Sequence, residues 1–253
     1  MHINCKGIFF FFIISLCLLT TVSCNKKSGN LLFTANGEDF IINGLTSKEG
    51  WHIQFDNVLV NICDPEAYNP DRTELKAVLE GPHMVDLKRG TSNQPSVSVG
   101  ILPDTKAGNY QSLKFSLKQM ETGEYAGYSI VLIGFAEKEK VKIPFLIKLD
   151  EELTFNGREG YVGDSIKGIL HPGKTADVEM TFHFDHLFGN IEMDADDHVN
   201  SQSPGFEFFL HYIIDKKIDV NQELTKSDPH YDILIQGIET LGHLGEGHCE
   251  ISR

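Results

Sequence analysis

Residues 110–118 alternate strictly, with Leu113, Phe115 and Leu117 facing one way and Ser112, Lys114, Ser116 and Lys118 the other. A period of two marks a half-buried antiparallel strand. Comparable short runs recur along the chain. Residues 31–35 and 39–43 are β-prone and flank Asn36-Gly37, a hairpin-turn pair. In residues 51–62, Ile53 and Phe55 share one face; Val58, Val60 and Ile62 share a face only after a one-residue slip near Asn57. Such a slip predicts a β-bulge. Further strands are predicted over 83–87 and 96–102, and over 128–135 with 141–149, this last pair turning at the charged residues 137–140. No helical period precedes residue 150, and many short strands with regularly spaced turns predict an all-β sandwich.

The C-terminal third changes character. Residues 153–164 are Gly-rich and of mixed charge, which predicts a boundary or a long loop. Alternation then returns: Val178, Met180, Phe182 and Phe184 fall on one face, and Glu179, Thr181, His183 and Asp185 on the other. Ser203-Pro204-Gly205 next opens a segment with Phe206, Phe209, Leu210, Ile213 and Ile214 at helical spacing, Ser as N-cap and Pro as first helical residue. Asp228-Pro229 repeats that signal before Tyr231, Leu234, Ile235, Ile238 and Leu241, with Gly242 placed to end the helix. The fold predicted is mainly β: an antiparallel β-sandwich over residues 31–253, with two short amphipathic helices in a histidine-rich part from about residue 186.

The N-terminus stands outside that fold. Residues 7–19 form an apolar run of signal-peptide length, too short for a comfortable membrane span. It leads into Thr21-Val22-Ser23-Cys24 and the polar residues 25–30, with Thr21 where a lipobox usually has leucine. A small residue before a cysteine, directly after the apolar run, resembles a bacterial lipobox. That resemblance implies a signal peptide over 1–23, acylation of Cys24, and a tether over 24–30 that anchors the chain to a membrane of the cell envelope, periplasmic or surface-exposed. An ordinary cleaved secretory signal is the competing interpretation. With Cys5 and Cys17 removed and Cys24 acylated, only Cys63 and Cys249 remain, in an oxidising compartment. They form either one disulfide, or a buried thiol (Cys63) and a thiolate ligand (Cys249).

Charge narrows the partners. The formal net charge of −14 excludes nucleic acid as a partner held by bulk electrostatics, and favours solubility and cations instead. Eight of the eleven histidines lie from His171 onward. His183 and Asp185 on one strand face are about 7 Å apart along the chain, with His186 at the strand end. Neutral imidazoles ligate metal ions, and a nearby carboxylate serves as a further ligand or holds the free ring N–H. His198, His243 and His248 follow, and Gly245 and Gly247 allow the tail to fold back on the site. His52, His83 and His171 are read as ordinary residues. Nitrogen and oxygen donors, with or without the Cys249 sulfur, suit Zn²⁺ best; Cu²⁺, Ni²⁺ and Fe²⁺ are compatible. No HExxH or CxxC spacing is present. The acidic run Asp194-Ala-Asp-Asp-His198 does not continue as an EF-hand loop, with Val199 at its sixth position in place of glycine and Gly205 at its twelfth in place of glutamate, which favours a solvated acidic loop over a Ca²⁺ site.

The order Trp51-x-Ile53-x-Phe55, then residues 84–87 (Met-Val-Asp-Leu), then residues 106–110 (Lys-Ala-Gly-Asn-Tyr) before an alternating strand resembles a group of bacterial envelope lipoproteins of uncharacterised function. They carry an immunoglobulin-like or transthyretin-like sandwich, and some share the His-Phe-Asp-His-Leu-Phe-Gly and Leu-Gly-His segments found here at 183–189 and 241–243. The function expected is non-enzymatic transition-metal binding at the envelope, in acquisition, sensing or delivery, with an outer-membrane transporter as a candidate partner. A glycan-binding or adhesion module is one alternative, although Trp51 is the sole tryptophan and sits in a core-like strand. A metal-dependent hydrolase is another.

Overall fold

The computed structural model describes residues 27–158, 167–215, 217–220, 231–245 and 247–253. The signal segment, Cys24 and the Asp228-Pro229 helix start lie outside the described residues. Two sheets face one another. The smaller runs in the order Gly247–His248, Gly242–Leu244, Thr175–Phe182, Ser28–Asn36, Val97–Lys106. The larger is built on the 17-residue strand His52–Tyr68. To one side of it lie Ile130–Lys138, Val141–Leu149, Lys217–Val220 and Ile213–Ile214; to the other lie Ser112–Leu117, Leu153–Gly157 and Glu250–Ser252. Pairing is mostly antiparallel. Ser28–Asn36 with Thr175–Phe182, and Val141–Leu149 with Lys217–Val220, are parallel.

The alternation that marked the strands is what fills the space between the sheets. Leu113, Phe115 and Leu117 are buried on one side, as are Val178, Met180 and Phe182 on the other. Phe182 meets Phe115 edge-on with ring centroids 5.6 Å apart, and Phe115 stacks on Phe155 at 5.2 Å. Edge-on and offset ring pairs add to the apolar burial that holds the layers together. The bulge expected near Asn57 is present as a register shift between Phe55 and Asn57 against Ile130–Lys138. The hairpin of Ile130–Lys138 with Val141–Leu149 turns through Glu139-Lys140, with Glu139 at φ 56°.

Several elements differ from the sequence expectation. Asn36-Gly37 does not turn a hairpin, because the preceding strand already has partners on both edges. Residues 38–43 instead coil into a one-and-a-half-turn helix that buries Ile41. The expected loop at 153–164 begins as a strand, Leu153–Gly157, inserted between Ser112–Leu117 and the C-terminal strand. The expected helix from residue 206 is shorter: one α-turn over Phe206–Phe209 and a 3-10 turn over Leu210–Tyr212, after which Ile213–Ile214 pair as a strand. The second helix, Tyr231–Glu239, is described, and it stops before Gly242, which opens a strand. At the other end, Ser28–Asn30 of the expected tether belong to the first strand.

Candidate metal centre

The strand Thr175–Phe182 ends because the next residues have something better to bury than alternation allows. Phe184, Leu187 and Phe188 stand at i, i+3 and i+4, a helical stripe, and all three are buried. Phe188 packs on Phe55, Phe206 and Phe209 with ring centroids 6.0, 6.3 and 5.6 Å away. The backbone follows: the carbonyls of His183 and Phe184 accept from the amides of His186 and Leu187, and residues Asp185–Phe188 form one helical turn. His183 and His186 are thereby brought together at the strand end, with ring centroids 6.0 Å apart.

The other three histidines arrive from two directions. The hairpin Gly242–Leu244/Gly247–His248 extends the smaller sheet beside Thr175–Phe182, and His243 and His248 are directly paired across it. The amide of His183 donates to the Leu241 carbonyl, tying the strand end to the hairpin. His243 stacks on His183 at 3.9 Å, and His248 lies 4.3 Å from His243 and 5.7 Å from His186. His198 begins the helix His198–Gln202, which Asp197 caps by accepting from the Val199 amide. Its ring lies 6.1 Å from His186 and 5.8 Å from His248. The loop that carries His198 is fixed by buried Asn200, whose side chain accepts from the Asn190 amide and donates to the carbonyls of Asn190, Met193 and Asp194.

Two groups of three result. In His183, His186 and His243, as in His186, His198 and His248, one ligand nitrogen from each ring lies within 4.8 Å of the others. A tetrahedral ion bound at ~2.0–2.1 Å sets nitrogens roughly 3.4 Å apart, so small ring rotations close either group around a metal. These histidines can hold a metal ion. The first group is the more buried, with His186 and His243 shielded from solvent and His198 and His248 of the second exposed.

Electrostatics keeps the buried rings in their ligating form. Burial first, and the neighbouring imidazoles after it, lower the pKa of His183 to about 4, His186 to about 3 and His243 to about 2. All three are neutral at pH 7. The Nε2 of His243 faces the Thr240 carbonyl at 3.1 Å. That contact selects the Nε2–H tautomer, in which Nε2 donates and Nδ1 carries a lone pair. Nδ1 of His243 and Nε2 of His183 are buried without hydrogen-bond partners. Buried ring nitrogens left without a partner are costly, and a bound cation would satisfy them.

Asp185 does not share a strand face with His183, since the chain has already turned into the helical segment. It belongs to neither histidine trio. Its carboxylate is buried, with Oδ1 unpartnered, and desolvation raises its pKa to about 6 against the opposing pull of its own and the His186 amides. Among the described residues, Cys63 and Cys249 are free thiols. The strands Ser112–Leu117 and Leu153–Gly157 lie between the strand of Cys63 and the one that follows Cys249, too wide a gap for a disulfide. Cys249 alternates with His248 and so packs against the core, where burial pushes its thiol up to about 12, and it is not among the ligand groups. Residues 191–196, in the acidic loop, are exposed.

Two glycines set the spacing of these parts. A Cβ on Gly237 would lie 2.8 Å from the His186 carbonyl oxygen, so only glycine lets the helix Tyr231–Glu239 rest against that turn. A Cβ on Gly242 would collide with the Phe155 ring, so the hairpin needs glycine to lie flat on the larger sheet. One neighbour was not foreseen. Glu38 Oε1 lies 3.6 Å from His183 Nε2, beyond hydrogen-bond range but close enough to act on a cation there. It is brought in by the helix that replaced the expected hairpin, and nothing near it in sequence signals chemistry. Compared with protein-family models, with curated proteins and with solved structures, the chain returns no match in any of the three.

Proposed function

We propose that this chain is a non-enzymatic, transition-metal-binding lipoprotein of the bacterial cell envelope, acting in metal acquisition, sensing or delivery. The observation that carries the metal reading is the more buried trio: three neutral imidazoles converge, and two of their ring nitrogens are buried without a hydrogen-bond partner. An all-nitrogen donor set with no thiolate suits Zn²⁺, with Cu²⁺ and Ni²⁺ as competitors of similar preference. The envelope location rests on the apolar segment and Cys24, with the lipid as anchor and an outer-membrane transporter as the candidate recipient of the metal. The glycan alternative loses its platform. Trp51 is buried against Phe206 at 5.2 Å, and the exposed large apolar side chains among the described residues are aliphatic or methionine.

The test uses the full chain purified in detergent, with elemental analysis followed by calorimetric titration of the metal-free form. One Zn²⁺ per chain is expected, and His183→Gln combined with His243→Gln should weaken binding by more than about tenfold. Equal affinity in that variant would sink the site.

A second reading rests on Glu38. With Asn36, Phe40 and Pro95 it lines a cleft of about 560 Å³, and its carboxylate sits beside His183. Were the three imidazoles to hold an ion, it would supply Lewis-acid activation of water, and the Glu38 carboxylate beside His183 would be placed to take the proton. Turnover of a simple ester or phosphoester that disappears in Glu38→Gln at unchanged metal content would favour it; absence of turnover by the Zn²⁺-loaded protein would dismiss it.

A further inference from the structure

We propose that the five histidines form a two-position relay, in which the exposed trio His186, His198 and His248 captures a first-row divalent metal ion and passes it through the shared His186 to the buried trio His183, His186 and His243. This rests on the metal-binding reading above and adds the order in which the ligands act.

Three observations support it. The two trios have His186 in common and differ sharply in access: His198 and His248 are exposed, whereas His243 and His186 are buried. The rings form an unbroken series from exposed His198 and His248 to buried His243 and half-buried His183. From His198 the steps are 5.8 Å to His248, 4.3 Å from His248 to His243 and 3.9 Å from His243 to His183, with His186 within 6.1 Å of each. The exposed ligands are also carried by defined elements, His198 on a capped helix behind the loop that Asn200 fixes, and His248 on the strand paired with that of His243.

A hydrated dication cannot enter a buried pocket with its water shell intact, and a bare one is prohibitively costly to bury. Exchanging waters for imidazoles one at a time avoids both states. In the outer position the ion trades waters for His198, His248 and His186. It then exchanges His198 and His248 for His183 and His243 while His186 remains attached, so it is never without protein ligands. No bond other than metal–ligand bonds changes. Because the positions share a ligand and two dications so close repel strongly, one ion occupies the pair at a time.

A relay has a kinetic signature that a simple site lacks. Ligands used only in passage lower the barrier in both directions, so removing them slows loading and release together and leaves the affinity of the final site unchanged. Stopped-flow competition of the full chain against a Zn²⁺-binding dye measures both rates, and equilibrium dialysis measures affinity. In His198→Ala with His248→Ala, at exposed positions whose loss does not threaten folding, both rates should fall by about tenfold or more with the dissociation constant preserved. In His243→Gln, capture should remain fast while release accelerates and affinity drops. The proposal is overturned if the exposed double variant keeps both wild-type rates, or if it loses equilibrium binding, since the exposed trio would then be the resting site. A wild-type chain that binds no Zn²⁺ at all overturns the metal reading itself, a result distinct from either.

Discussion

A single hydrogen bond decides which atom of His243 would face a bound metal. Because Thr240 accepts from Nε2, the lone pair is on Nδ1, and the ring is presented as a ligand before any ion arrives. The same burial makes these rings a liability in acid. In the folded chain His183, His186 and His243 titrate near 4, 3 and 2, while in the unfolded chain they do so near 6.5. Below pH 6.5 the unfolded state therefore binds protons that the folded state refuses, and stability falls as pH falls through that window. Asp185 works the other way: its folded pKa is raised to about 6, so the cost of burying its ionised form is relieved as pH drops through 6. Three groups outweigh one. Each excess proton taken up by the unfolded state costs about 1.4 kcal/mol per pH unit. Urea midpoints of the metal-free protein should decline between pH 6.5 and 4.5; a flat profile would mean the rings are not buried neutral. His183, His186, His198, His243 and His248 were each legible in sequence as donors, but the tautomer and the burial were not, since both come from residues distant in the chain. The i, i+3, i+4 stripe of Phe184, Leu187 and Phe188 was present, overwritten by a strand alternation that runs on through Phe184.

At the scale of elements, the hairpin and the helix Tyr231–Glu239 hold the site by close contact rather than by ligation. Gly242→Ala would push the Gly242–Leu244 strand away from Phe155, and His243 with it, although no ligand is changed. Its Zn²⁺ affinity is expected to drop about tenfold, as for other outer-shell changes, with circular dichroism like the wild type; calorimetric affinity equal to wild type would show that the hairpin adapts. Elements with strict alternation, such as Ser112–Leu117 and Val141–Leu149, were readable because a half-buried strand leaves its period in the sequence. The helix Glu38–Asn43 was not. Its apolar run is too short to choose between periods, and the choice was made by the preceding strand, which has a neighbour on each edge and so cannot turn back on itself. Tyr231–Glu239 was readable because its buried residues Leu234, Ile235 and Ile238 keep helical spacing.

For the whole molecule, an ion held by these histidines would tie the end of the smaller sheet to the Asp185–Phe188 turn and to the helix that starts at His198. An ion that binds only the folded chain stabilises it by about 4 kcal/mol at a thousandfold excess over its dissociation constant. For a chain of this size that is a rise in melting temperature of about 10 °C. Thermal scans with Zn²⁺ and with chelator should differ by that order; coincident melts would argue that the rings bind nothing. Among the described residues no helix is long and apolar enough to cross a membrane. The sandwich was legible from strand count and turn spacing, whereas the two parallel pairings were not, because they join segments with long intervening stretches of chain.

His243 and His248 emerge from the ribosome some sixty residues after His183 and His186, and the hairpin that carries them docks only on a finished sheet edge. A nascent or unfolded chain therefore offers a metal scattered imidazoles and no centre. An ion held by these rings would therefore be drawn from the pool that surrounds the chain where it folds and resides, and that pool, together with the preference of imidazole, would choose the metal.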